Sequence, residues 1–378
     1  MGAVRITTNG LYRNYRTNLT KNINRLNDTM TDVQTERKFN AYAEDPVAAS
    51  KAWRLRRDYW RTGDQIDNNN QIISKYESAY SAMAAVVDGD TEHPGLDGIL
   101  ASIEGVSDSA GSSRSALGRD LISTAESIVS MMNSRYGDDF IFAGADGENI
   151  PFEWDGDKLL YRGVDVSTPK TDYVTADFLD SDGNLDQAKF DEQKELYEDA
   201  HPGYSFKDAL KLNEMANETT YVDIGLGMKE DADGNLITGS AFNSAVSGLQ
   251  FLNYGEDNNL AVLMRELGQI FENTDPETGS YASDADKERA DELLNKIHDA
   301  VRYSQGQHVK LSADAKFLKT NLQQLETNKS QLNEQIMDTE GMDPAEAITE
   351  MSWAQYCYNA ALRIGTNILS QSLIDYMS

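Results

Sequence analysis

The chain has little of what disulfide-rich domains and metal sites are built from. Cys357 is the single cysteine among 378 residues, so an internal disulfide framework and a cysteine metal cluster are excluded. The histidines are scattered and give no pair at ligand spacing on one predicted helix face: His93, His201, His298 and His308. We therefore expect no cofactor and no structural metal.

Catalytic and targeting motifs are also missing. The sequence has no phosphate-binding or dinucleotide-binding glycine loop, no zinc-protease helix motif and no serine-hydrolase elbow. The first twenty residues are mixed polar, unlike a cleaved secretory signal, and no apolar run is long enough to span a bilayer. We expect a protein that is not an enzyme and that, if exported, leaves the cell without a cleaved leader.

Positive charge is scarce and unevenly placed. The chain has 34 Lys and Arg against 63 Asp and Glu, a net charge of −29, which disfavours nucleic acids and anionic membranes as partners. Residues 1–62 hold twelve basic and six acidic side chains, a net of +6. Residues 137–260 hold eight and twenty-seven, a net of −19, which is typical of a solvated, outward-facing region.

Apolar residues at helical spacing mark both ends of the chain. Near the N-terminus they alternate in steps of four and three: Leu19, Ile23, Leu26, Met30 and Val33. Near the C-terminus leucines recur at every seventh position beside a companion seam: Leu311, Leu318, Leu325 and Leu332, then Ala315, Leu322 and Ile336. A helix with this period has an apolar stripe that needs another helix, so we expect the two seams to lie side by side.

Two Asp-Pro pairs indicate where long helices begin. In Asp45-Pro46 and in Asp343-Pro344 the aspartate is a good N-cap and the proline suits the first helical position. The first helix is predicted to run to about residue 87, and the second over 344–377. The second carries a broad apolar face that includes Ile348, Leu362, Ile364, Leu369 and Leu373.

The hydrophobic period changes in the middle of the chain. Residues 140–142 and 159–161 flank an Asp-Gly-Asp turn and predict a hairpin, and residues 221–226 are a further strand candidate. Residues 185–217 predict one or two polar helices. After this insert, helical periodicity returns in separate stretches around 260–270, 293–301 and 312–338.

The predicted fold is mainly α with an inserted α+β domain. Residues 1–139 form the N-terminal helical part of an elongated helical rod or coiled-coil domain. Residues 140–240 form a β-containing, acidic outer domain, and residues 241–378 form the C-terminal helical part of the rod.

One acidic run is similar to the start of a calcium loop. Asp180, Asp182, Asn184 and Asp186 alternate as the first ligands would, but Leu185 stands where the turn glycine is required. A solvated turn is the favoured interpretation, and weak cation binding stays open.

A basic, aromatic stretch at residues 51–61 contains Arg54 and Arg57. Such a helix can bind nucleic acid through arginines on phosphates and tryptophans on bases, but the overall charge argues against that use. Arginine and tryptophan are common interface anchors, so we expect these arginines to meet the acidic face of a neighbouring subunit.

Several motifs, taken in order, resemble the flagellin superfamily. They are Arg5-Ile6-Thr7-Thr8-Asn9, Glu44-Asp45-Pro46-Val47-Ala48-Ala49, Phe142-Ala143-Gly144, Tyr161-Arg162-Gly163, Asp343-Pro344-Ala345-Glu346-Ala347-Ile348 and Ser372-Leu373-Ile374-Asp375-Tyr376. The resemblance covers residues 1–165 and 218–378 and leaves 166–217 uncovered. Glu44, where a second aspartate is usual, and Pro344 depart from the family pattern.

The resemblance implies a structural component of the bacterial flagellum that joins the hook to the flagellin filament. Implied partners are another hook-associated protein on the hook side, flagellin on the filament side, copies of this chain in a ring, and an export chaperone. The implied location is extracellular, after type III export. A minor flagellin is the alternative; an enzyme or calcium-dependent adhesin within 140–240, and a monomeric helical bundle, are further rivals.

The residues expected to form the assembly interface lie on the helical ends. They are Leu19, Ile23, Leu26, Met30, Val33, Arg54, Arg57, Leu318, Leu322, Leu325, Leu332, Ile336, Ile348, Leu362, Leu369 and Leu373. The contact must be heterologous, because isologous pairing stops at a dimer.

Overall fold

The computed structural model describes residues 8–89, 95–107, 112–180, 183–231, 234, 236–237, 239–275 and 277–377. The helices are α1 Thr8–Thr35, α2 Pro46–Val87, α3 Leu96–Ser107, α4 Ser112–Met132, α5 Gln187–Ala200, α6 Phe206–Ala216, α7 Gly248–Leu252, α8 Leu260–Glu272, α9 Asp284–Glu340 and α10 Pro344–Met377. The chain is thus mostly helical with small sheets, and the predicted fold class is confirmed.

The strands are short and form small antiparallel sheets. They are β1 Arg135–Tyr136, β2 Asp139–Phe140, β3 Ala143–Gly144, β4 Phe152–Asp155, β5 Lys158–Tyr161, β6 Val164–Asp165, β7 Tyr221–Val222, β8 Phe242–Asn243 and β9 Val246–Ser247. The sheet orders are β1-β2, β3-β9, β4-β5-β6 and β7-β8. The strand candidate at 221–226 is therefore reduced to two residues.

The predicted hairpin forms with a different first strand. Residues 152–155 pair with residues 158–161 across the turn at Gly156, in the register Phe152 to Tyr161. The run 140–142 was the wrong partner, because part of it already pairs within β1-β2. It still packs beside the hairpin, since the Tyr161 hydroxyl donates to the carbonyl oxygen of Phe142 at 2.9 Å.

The helical stretches predicted around 293–301 and 312–338 are one helix. Helix α9 continues for 57 residues, from Asp284 to Glu340. No proline interrupts these stretches, and the helix continues through Gly306.

The chain divides into two compact units. Unit one comprises Met1–Asp64 and Leu325–Ser378, and unit two comprises Gln65–Gln324. Helices α2 and α9 contribute residues to both. The boundaries of these units reflect which residues contact one another. The predicted boundaries at 140 and 240 were placed instead where the pattern changes between helix and strand.

Unit two holds the large hydrophobic core of the described residues. The core joins α2, α3, α4, α8 and α9 to the strands, with Phe142, Phe152, Tyr161, Phe251 and Phe271 among its fully buried side chains. Helices α4 and α8 cross closely at Gly118 and Gly268, where an added Cβ on either glycine would press against the backbone of the other helix.

A second, smaller cluster lies in the acidic part of unit two. Phe178, Phe190, Phe206 and Leu210 are buried together, with ring centroids of the three phenylalanines 5.4–5.7 Å apart. Tyr197 packs against them. This local core holds α5 and α6, so the one or two helices predicted at 185–217 are two.

Helix α1 packs against α10 within unit one. The prediction that the Leu19–Val33 seam lies beside the Leu311–Ile336 seam was therefore wrong about the partner. The second seam faces α2 instead: Asn69 donates to the carbonyl oxygen of Leu318 at 3.2 Å, and the ammonium of Lys329 lies 5.1 Å from the centre of the Tyr59 ring.

Candidate assembly surface

The interface between α1 and α10 is made of small side chains on the α10 side. Ala347, Ala354 and Gly365 are buried there, at positions seven and eleven apart along one helical face. The hydroxyl end of the Tyr15 side chain of α1 lies against Gly365.

The apolar stripe of α1 divides between two surfaces. Leu19, Leu26 and Val33 are partly buried, in the same row as the buried Thr29. Ile23 and Met30 lie on the flank and are 38% and 43% exposed. Of the five predicted residues of α1, three are therefore partly covered within the subunit and two are exposed.

The two connections in unit one are joined by one antiparallel β-bridge, between Arg37 and Gly341. The backbone amide of Lys38 donates to the carbonyl oxygen of Glu340 at 2.7 Å. The backbone amide of Met342 donates to the carbonyl oxygen of Glu36 at 2.9 Å. Both following helices begin at the predicted caps, since carboxylate oxygens of Asp45 and Asp343 accept backbone amides of the first turn.

Glu340 anchors these connections electrostatically. Its side chain is only 9% exposed, receives a charge-assisted hydrogen bond from Arg56, and lies 3.9 Å from the guanidinium of Arg37. Beside it, Phe39, Tyr42, Trp53 and other residues line an open cavity of about 530 Å³.

Large apolar side chains of unit one lie mostly on its exterior. The exposed ones are Tyr12, Ile23, Met30, Tyr42, Val47, Trp53, Trp60, Met337, Ile348, Trp353, Tyr356, Leu362 and Ile364. The buried hydrophobic residues in the described part of this unit are Ala52, Leu325, Ala347 and Ala354. An exposed apolar surface of this kind is typical of protein–protein or membrane interaction sites.

A basic–aromatic face lies on the first half of α2. It consists of Trp53, Arg54, Arg57 and Trp60, which follow one another at helical spacing and are all exposed. The guanidinium carbon of Arg57 lies 5.7 Å from the centre of the Trp53 ring, and its nitrogen lies 3.2 Å from the Asp58 carboxylate.

An acidic–aromatic face lies on the first half of α10. It consists of Glu346, Glu350, Trp353 and Ile364, which share one side of the helix and are exposed. The side is adjacent to the small-residue face that packs on α1. Ile348 and Leu362 lie on the opposite flank and are 52% and 40% exposed.

Negative charge accumulates where α1 ends and α10 begins. Partial burial, followed by the nearby carboxylates of Glu44, Asp28 and Glu350, raises the pKa of Asp32 above its ordinary value. The side-chain amide of Asn40 donates to Asp32 at 3.0 Å and offsets this only in part. A neighbouring positive charge would relieve the repulsion.

The remaining predicted interface residues fall in different environments. Leu318 is fully buried in unit two, and Leu322 packs against the core of that unit. Contacts within the subunit therefore already use these two side chains. Leu325 is buried within unit one, and Leu332 and Ile336 are partly buried. The side chains of Leu369 and Leu373 lie outside the described residues.

The predicted interface omitted the three exposed tryptophans of this surface: Trp53, Trp60 and Trp353. The two α2 tryptophans stand seven residues apart, which places them on one side of the helix, and this spacing was available in the sequence. The small-residue face of α10 was also missed, although Ala347 and Ala354 share the same spacing.

The candidate calcium loop has another role for its carboxylates. Asp180 accepts the amide of Asn184 at 2.9 Å, and Asp186 is the N-cap of α5, accepting the amide of Lys189 at 3.2 Å. Asp182 lies outside the described residues. Within the described ranges, no group of three or more His, Cys, Asp or Glu side chains is arranged to hold a metal.

Comparison with known proteins gives a fold relationship. No family model and no curated protein matches the chain. A solved structure from Vibrio parahaemolyticus, provisionally described as a flagellar hook-associated protein, aligns with a TM-score of 0.51 and 15% identity, covering 79% of this chain and all of the other. At this identity the likeness shows a shared fold.

None of the helices in the described ranges is long and apolar enough to cross a bilayer.

Proposed function

We propose that this chain is a structural subunit of the bacterial flagellum that joins the hook to the filament, as flagellar hook-associated protein 3 does. The observation that carries the proposal is the inverted distribution in unit one, where large apolar residues are exposed and mostly alanines are buried. Terminal helices of this kind gain their stability from neighbouring subunits. The shared fold with a structure described as hook-associated supports the same assignment.

The proposed mechanism is assembly through the ends of the chain. Helices α1 and α10 pair within a subunit and then bind the helices of neighbouring copies through the exposed apolar surface. The contact joins two different faces, so it propagates around a ring. Unit two, with the acidic residues 137–260, provides the solvated part that keeps the assembly soluble.

The proposed partners follow from the same assignment. They are another hook-associated protein on the hook side, flagellin on the filament side, further copies of this chain, and a cytoplasmic chaperone before type III export. The role is mechanical, and we propose no enzymatic activity.

Complementation of a deletion strain tests the proposal. Cells of the source bacterium that lack the gene should carry hooks without filaments, and the full chain should restore the filaments seen by electron microscopy. A chain lacking residues 345–378 should leave the hooks bare. Filaments attached in the presence of the truncated chain would contradict the proposal, and long filaments grown by the purified chain alone would favour a minor flagellin instead.

A further inference from the structure

Unit one carries opposite charges on its two sequence segments. Residues 1–64 contain twelve Lys and Arg against seven Asp and Glu, a net of +5. Residues 325–378 contain two against eight, a net of −6. Two copies of such a unit attract each other when the first segment of one faces the second segment of the other.

The basic–aromatic face of α2 has unused binding capacity. Among the residues that the structure describes, Arg54 makes no ion pair, and Arg57 pairs only with its sequence neighbour Asp58. An arginine side chain presents a fork of donors that fits a carboxylate. Trp53 and Trp60, 66% and 67% exposed, flank these arginines and can exclude water from a bound partner.

The acidic–aromatic face of α10 has the complementary chemistry. Glu346 and Glu350 are exposed and make no ion pair within the described residues. Trp353, 58% exposed, and Ile364, 55% exposed, continue the same side of the helix. Helix α10 contacts α1 through its small-residue face. Its acidic–aromatic face is therefore free for another helix.

We propose that the basic–aromatic face of α2 in one copy binds the acidic–aromatic face of α10 in the next copy. This inference rests on the proposed self-assembly and names the two surfaces that perform it. The arginines pair with the glutamates, and the tryptophans and Ile364 cover those pairs from water. Because the faces differ, each copy keeps one of each for a further neighbour, and the contact repeats.

The acidic residues 137–260 of a second copy are a competing occupant of the basic face. They match its charge but are divided among the short helices α5 and α6, short strands and loops. Helix α10, with 34 residues, can pack along α2, with 42 residues, over several turns. The extended match of both charge and apolar side chains favours α10.

Charge reversal in two separate variants tests this pairing. Arg54→Glu places two negative faces together, and Glu350→Arg places two positive faces together, so each variant alone should associate about tenfold more weakly or worse. An equimolar mixture should recover association, because the glutamate introduced in the first variant then faces the arginine introduced in the second. Association is measured by sedimentation velocity over a range of concentrations. Lys287→Glu, an exposed reversal in unit two, is the control and should associate normally.

Three results would overturn parts of the account. Normal association of the Arg54→Glu variant, or failure of the mixture to recover, would reject the α2–α10 pairing, and the second result would point to another acidic partner. A circular dichroism spectrum unchanged in both variants shows that the loss is not unfolding. Absence of association in the unmodified chain at every concentration would reject the self-assembly on which the inference rests.

Discussion

The hydroxyl group of Tyr15 in α1 occupies the space that a side chain on Gly365 of α10 would need. A Cβ built on Gly365 would overlap both the hydroxyl oxygen and the ring carbon that bears it. Gly365 is buried, and no left-handed backbone conformation explains its identity. The glycine therefore leaves the room that the Tyr15 side chain occupies.

Gly365→Ala should weaken the pairing of α1 and α10. The ring must move out of its position, at a cost of about 1–3 kcal/mol, which is typical of overpacking. Hydrogen exchange of α1 amides should become faster. Tyr15→Ala in addition should remove the overlap, so the double variant should be no less stable than Tyr15→Ala alone. Equal exchange in the wild type and in Gly365→Ala would contradict the contact.

Glu340→Gln should loosen the paired connections of unit one. The variant loses the negative charge that holds Arg56 and Arg37, at a cost of about 1–3 kcal/mol, since both arginines stay partly solvated. The amides of Lys38 and Met342 should then exchange about tenfold faster. Lys194→Gln, which removes an exposed pair with Glu198 at 4.0 Å, is the control and should change little. Unchanged exchange at both amides would show that Glu340 is not the anchor.

The stability of unit two should depend on Asp257 at low pH. Hydrogen bonds from Arg289 lower the pKa of Asp257 to about 2, so the carboxylate stabilises the fold above its ordinary pKa of 3.8, and this contribution is lost as pH falls toward 2. Arg289→Gln should lower the free energy of unfolding by about 2 kcal/mol at neutral pH and by much less at pH 2. Thermal unfolding at the two pH values measures this difference.

The exposed Arg302 provides the matched control for that comparison. Arg302→Gln removes the same charge from α9 and should shift stability little at either pH. A pH-independent effect of Arg289→Gln would mean that its carboxylate partners are not responsible.

Phe178→Ala should unfold part of the acidic region without affecting assembly. The side chain is fully buried among Phe190 and Phe206, and its loss costs about 3–5 kcal/mol. Amides of α5 and α6 should lose protection, whereas association measured by sedimentation should persist. Leu196→Ala, on the exposed side of α5, should leave both unchanged. Loss of association in Phe178→Ala would show that this region takes part in the contact.

Local signals in the sequence predicted the starts of the long helices. Asp45 and Asp343 cap α2 and α10 as expected, because capping depends on residues within one turn. The partner of each helix was less predictable. A heptad stripe shows that a partner is needed but not which one, and α10 meets α1 with Ala354 and Gly365, which carry little hydrophobic signal.

The hairpin and the assembly surface show the same limit. Gly156 marked the turn, but the first strand contains Glu153 and Asp155 and is less apolar than the run 140–142, which was chosen instead. The exposure of Trp53 depends on which parts of unit one other residues of the chain cover. Local sequence does not give this, because it depends on tertiary packing.

The most direct test of the account compares the mass of the purified chain with that of a chain lacking residues 345–378, by sedimentation velocity at rising concentration. The full chain should exceed its monomer mass of 42.0 kDa as concentration rises, and the truncated chain should stay monomeric. Equal association of the two chains, or a full chain that remains monomeric throughout, would contradict assembly through the terminal helices.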